Sequence, residues 1–160
     1  RQPKMLIDQI IASSKLTDGA RTLVKTMRAN GAFCYLVSGG FNFLTDRIAG
    51  ECGFHGHHAN HLNLDKNTIT GTVRKPVLDR RAKVTYLRHY CRLHNVSLAS
   101  TARIGDGAND LGMLELPGLG VAFHGKPILR KKVALQLNHT NLTGLLYLQG
   151  YKLGEFVCGD

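Results

Sequence analysis

The residues best suited to chemistry stand together in Ile104-Gly105-Asp106-Gly107-Ala108-Asn109-Asp110, where two carboxylates and an amide surround two glycines after a short apolar run. Carboxylate oxygens suit a hard cation, and Mg²⁺ usually takes one or two of them together with waters and phosphate oxygens of a substrate. Such a loop can hold a cation beside a phosphate; a plain Gly/Asp/Asn turn is the competing reading. A second candidate is Ser38-Gly39-Gly40, which follows the apolar run Phe33-Cys34-Tyr35-Leu36-Val37. Backbone N–H groups at a helix start bind anions, and glycines let a phosphate approach closely. Ser38 adds a hydroxyl donor there, or else serves only as a helix cap. The third candidate is Lys83, one turn before Leu87. Its ammonium either snorkels to water along an apolar stripe or points into a cleft, where it offsets a phosphate charge.

The elements that must position these residues follow from local pattern. Thr101–Ile104 predicts a buried strand, and Leu111, Met113, Leu114 and Leu116 predict a short helix starting near Asn109 or Asp110. Phe33–Val37 predicts a second strand, followed by a helix from Phe41 to about Glu51. Asp79 to about His94 predicts a third helix, with Asp79 as its N-cap and Val84, Leu87 and Cys91 at helical spacing. Strand, loop and helix in this order suit an open α/β sheet, whose ligands gather at the carboxyl ends of the strands.

The ordered set resembles the phosphoserine phosphatases of the haloacid dehalogenase superfamily. The resemblance runs from Leu16-Thr17-Asp18-Gly19 through Leu36-Val37-Ser38-Gly39-Gly40-Phe41, Ala59-Asn60-His61-Leu62, Ile69-Thr70-Gly71 and Lys83. It continues through Gly105–Asp110, Gly118–Pro127 and His139-Thr140-Asn141-Leu142-Thr143. It implies a Rossmann-like, three-layer α/β/α fold around a parallel sheet, and a Mg²⁺-dependent phosphomonoesterase acting on O-phospho-L-serine, the last step of serine biosynthesis. By the same resemblance Ser38, Lys83 and the backbone of Gly39 hold the transferring phosphoryl group. Asp106 binds Mg²⁺, Asn109 contacts substrate, and Asp110 supports the site by orienting the lysine.

One family feature is missing from the sequence. Members carry an Asp-x-Asp-x-Thr or Val motif on the first, central strand, whose first aspartate attacks phosphorus and whose second is the general acid and base. Asp8, Asp18, Asp46, Asp65, Asp79, Asp106, Asp110 and Asp160 are the aspartates here, and no two lie two positions apart. The chain opens at Arg1 and enters the pattern part-way. The expectation is that the motif and most of the helical cap lie upstream, so that this chain alone is inactive. The alternative is a catalytically inactive, phosphate-binding remnant of the fold, or a regulatory protein.

Without that strand, the strands ending at Ser38 and Ile104 each expose an edge, and either a docked N-terminal fragment of the same protein or a homodimer mate is expected to fill it. Residues 1–17 correspond to the end of the helical cap, with Met5, Leu6, Ile7, Ile10 and Ile11 forming an apolar face. Residues 18–160 form the core. A small β-hairpin flap is expected around 54–77, with Leu62, Leu64, Ile69 and Val73 flanking Asp65-Lys66-Asn67.

A net charge of +10 and a pI near 9.8 raise the question of nucleic acid. The charges are scattered, with short clusters only at Arg80-Arg81-Lys83 and Arg130-Lys131-Lys132. A small anionic phosphoester is therefore the expected partner, not nucleic acid and not a membrane. Cys34, Cys52, Cys91 and Cys158 lack Cys-x-x-Cys spacing and read as reduced thiols of a cytoplasmic protein. His55, His57, His58 and His61 fit no common metal-ligand spacing.

Overall fold

A computed structural model describes residues 2–3 and 5–159 and divides the chain into two compact units. The first runs up to Leu78 and includes the tail from Tyr151; the second is Asp79–Gly150.

In the first unit the order is β1 (Gln2–Pro3), α1 (Met5–Ser13), α2 (Ala20–Ala29), β2 (Tyr35–Phe41), α3 (Asn42–Cys52), β3 (Gly56–Asn60), β4 (Leu62–Asp65) and β5 (Thr68–Val73). Ala20, Leu23 and Val24 recur on one face of α2 and are buried, the spacing that turns a helix stripe toward a core. Ala49, Cys52 and Ala59 are buried too. The tail returns to α2, where Val157 N–H donates to Thr26 Oγ1 at 2.8 Å. Arg47 ties α1 to α3: its guanidinium donates to the carbonyls of Ile11 and Ser14 and to Glu51.

β2 and β3 pair in parallel, Tyr35 opposite Gly56 and Val37 opposite His58, and the register then shifts so that Phe41 meets Asn60. The strand predicted to stop at Val37 thus continues through Ser38-Gly39-Gly40, and those three residues form an irregularity opposite the single residue Ala59. The antiparallel hairpin is β4–β5, with β1 on its outer edge. It is narrower than residues 54–77, because Gly56–Asn60 is consumed by the parallel pairing. The apolar face expected on α1 is mostly uncovered: Ile7 is buried, while Met5, Leu6 and Ile10 are exposed.

The second unit runs α4 (Arg80–Leu93), β6 (Ala102–Gly105), α5 (Leu111–Leu114), β7 (Leu119–Phe123), α6 (Pro127–Lys132), β8 (Leu135–Leu137) and α7 (Gly144–Leu148). β6, β7 and β8 form a parallel sheet in that order. Leu114, Ala122, Leu129 and Val133 make its core, with Leu111 and Met113 packed against them. Helices connect parallel strands, as crossovers in α/β folds must. Among the described residues, β2 pairs only with β3 and β6 only with β7, so each keeps one free edge. No helix among these residues is long and apolar enough to cross a membrane.

Candidate functional site

In the second unit the candidate residues sit at the carboxyl end of β6 and on the first turn of α4. Asp79 caps that helix as its sequence position predicts, accepting from the N–H groups of Arg81 and Ala82 at 2.9 and 3.1 Å. The cap starts the helix at Arg80 and places Lys83 one turn in. The Lys83 ammonium does not run out to water. It donates to Asp110 Oδ1 in a buried ion pair.

Asp110 is fully committed. Its Oδ2 accepts from the N–H groups of Asp106 and Gly107, each at 3.0 Å, so one carboxylate both folds the loop and neutralises the lysine. Gly105 is needed for this: a Cβ there would lie 2.6 Å from both Cβ and Oδ2 of Asp110. The loop is therefore more than a plain turn. A short 3₁₀ turn, Ala108–Asp110, leads into α5 and leaves Asn109 exposed.

Asp106 stands apart. Its backbone N–H serves Asp110, and its carbonyl accepts from Lys126 N–H at 3.0 Å, which joins this loop to the one after β7. Its side chain is exposed and takes part in no ion pair or hydrogen bond among the described residues. Of the two carboxylates, only that of Asp106 is thus available to a cation. No three of the described His, Cys, Asp and Glu residues cluster to cage a metal.

The Ser38-Gly39-Gly40 segment belongs to the first unit. Ser38 does not cap α3, whose N-cap is Phe41 without a side-chain bond. Instead Ser38 Oγ accepts from Gly40 N–H at 3.0 Å, inside the irregular stretch of β2. Gly39 and Gly40 are exposed and Ser38 is half-buried. The Gly39 carbonyl accepts from Asn60 Nδ2 at 2.8 Å, a contact that no local spacing signals.

Arg103 is the other residue whose part was not legible in advance. It lies on β6 at 4% exposure, and its guanidinium donates to the carbonyls of Met113, Leu116 and Pro117 and to Thr101 Oγ1. Burial lowers its pKa from the ordinary guanidinium value, and the nearby Cys91 pulls it partly back. Two of the candidate histidines have local partners: His55 Nδ1 accepts from Cys34 N–H, and His57 lies 2.9 Å from Thr45 Oγ1 and 3.3 Å from Asp46.

Comparison with known proteins points one way. Residues 2–115 match the haloacid dehalogenase-like hydrolase family. A phosphoserine phosphatase of Streptomyces coelicolor is 39% identical over 155 residues, covering 97% of this chain but only 38% of its own length. One from Lactococcus lactis is 33% identical, covering 90% of this chain and 67% of its own. A solved phosphoserine phosphatase described as a phospho-aspartyl intermediate analogue superposes with a TM-score of 0.86 at 31% identity, over 91% of this chain and 70% of that one.

Proposed function

Because the chain belongs to the haloacid dehalogenase-like hydrolase family, we propose that it forms the phosphate- and metal-handling part of a phosphomonoesterase that converts O-phospho-L-serine and water to L-serine and phosphate. The relatives' shared activity supports that substrate. The observation that carries the reading is the division of labour after β6, where Asp110 is used up by Lys83 and two N–H groups and the Asp106 carboxylate is left free. One uncommitted carboxylate suits Mg²⁺, which takes its remaining ligands from water and phosphate.

In this reading Asp106 would hold the ion, which when bound supplies positive charge to the phosphoryl oxygens. Lys83 adds a second positive charge, held in place by Asp110. In the second unit Asn109 contacts the substrate; in the first, Ser38 and the Gly39 backbone are proposed as hydrogen-bond donors to a phosphoryl group. Stabilising charge on equatorial oxygens in this way is the main task in phosphoryl transfer. The attacking carboxylate and the general acid are proposed to lie outside these 160 residues, since no Asp-x-Asp occurs within them. The free edge of β2 in the first unit and that of β6 in the second each support pairing with added chain, from a segment of the same protein or from a second copy.

The test is to express the chain with the coding sequence that precedes it and assay phosphate release from O-phospho-L-serine, phosphothreonine and other small phosphoesters with and without Mg²⁺. An upstream Asp-x-Asp-x-Thr or Val and Mg²⁺-dependent release, lost by several orders of magnitude in Lys83→Ala, are expected. No such motif and no release would leave a phosphate-binding remnant instead.

A further inference from the structure

Asn60 is buried at 6% exposure, and both ends of its amide are used. Oδ1 accepts from Leu78 N–H at 2.7 Å, and Nδ2 donates to the Gly39 carbonyl at 2.8 Å. A backbone N–H can only donate, so Leu78 fixes which end of the amide is oxygen and turns the NH₂ toward Gly39. The Gly39 carbonyl and the Gly40 N–H belong to one rigid peptide plane and point in opposite directions. Holding the carbonyl therefore aims the N–H, which donates to Ser38 Oγ at 3.0 Å. A hydroxyl whose oxygen already accepts a bond from this side keeps its own proton for a partner on the other. The β2–β3 ladder cannot do this work, because its register breaks between Val37 and Phe41.

We infer that Asn60 is a positioning residue for Ser38: through the Gly39–Gly40 peptide it presets the serine hydroxyl as a donor to a bound phosphate. The inference rests on the phosphate-binding reading of Ser38 given above. Bonds in such a chain polarise one another, so the donor is both aimed and strengthened. N60D is the sharpest probe. It is nearly isosteric and keeps the acceptor for Leu78, but it sets an oxygen against the Gly39 carbonyl.

Inorganic phosphate titrated into the chain and followed by NMR gives a dissociation constant for wild type, S38A, N60D and the double variant. Both single variants are expected to bind roughly tenfold or more weakly, the equivalent of one hydrogen bond to a charged group. The double variant should be no weaker than S38A, because Asn60 acts only through the hydroxyl. Independent, multiplying losses, or an N60D affinity equal to wild type, would overturn the inference while leaving the Ser38 site standing. Unchanged phosphate binding in S38A would remove the site reading and the inference with it. Should N60D fail to fold, wild type decides: phosphate should shift the Gly40 N–H and Asn60 side-chain amide resonances, and should shift neither in S38A. Resonances in wild type that ignore phosphate would refute the role.

Discussion

Lys83 and Asp110 form an ion pair almost closed to water, with side chains 11% and 4% exposed. Taking two charges out of water is costly, and their attraction offsets that only when the remaining hydrogen-bonding capacity is satisfied. On the Asp110 side it is, because the second carboxylate oxygen takes two backbone N–H groups. Removing one partner strands the other. Asp110→Ala is expected to destabilise the chain by about 3–5 kcal/mol, and Lys83→Met combined with Asp110→Leu by less than Asp110→Ala alone. Urea unfolding followed by circular dichroism checks both, and equal losses would mean that the pairing contributes nothing.

Asp79 gives a prediction about acid. Its carboxyl is held below the ordinary 3.8, first by the Ala82 N–H and then by the Arg81 side chain. A carboxylate whose folded pKa is depressed adds stability above its unfolded value and loses it as pH falls through the folded one. Asp79→Ala should therefore lower the urea midpoint by a constant amount above about pH 5, and the gap to wild type should close as pH drops below about 4. A gap that stays open in acid would mean that the ionised cap is not what starts α4.

How far these features could be read in advance depended on range along the chain. The Asp79 cap and the strand, loop and short helix around Gly105–Asp110 are written in adjacent residues, so composition and spacing were enough. The extension of β2 through Ser38-Gly39-Gly40 was hidden, because its register is set by β3, about twenty residues away. Arg103 was hidden for a similar reason: a guanidinium inside a strand reads as a contradiction until the carbonyls of Met113, Leu116 and Pro117 are seen to surround it. The apolar residues of α1 are legible as a face, but the described residues of this chain bury only Ile7 and half-bury Ile11.

Thiol reactivity should follow burial. The Cys34 thiol is pushed up to about 11 by desolvation, against a smaller opposing pull from Arg28. Cys52 is fully buried, and Cys158 is exposed. Since the thiolate is the nucleophile, iodoacetamide at neutral pH should modify Cys158 first and leave Cys34 and Cys52 untouched until urea is added. Peptide mass mapping over a time course reads the order, and early labelling of Cys34 would contradict its burial.

Asp106 and Asp110 lie four residues apart, yet their substitutions should separate function from folding. Asp106 contributes only backbone groups to the loop, and its carboxylate is exposed without a partner among the described residues. Asp106→Ala should therefore change stability by no more than about 0.5 kcal/mol. In the longer protein proposed above, the same change should reduce Mg²⁺-dependent phosphate release at least about a hundredfold, in keeping with the several kcal/mol a bound metal contributes to charge stabilisation. Asp110→Ala should lose both stability and activity, because its carboxylate folds the loop and holds Lys83. Urea midpoints and phosphate release measured on the two variants side by side test this. If Asp106→Ala kept its turnover, the metal would have to be held by other groups; if it unfolded the chain, the carboxylate would have a structural partner that the described residues do not contain.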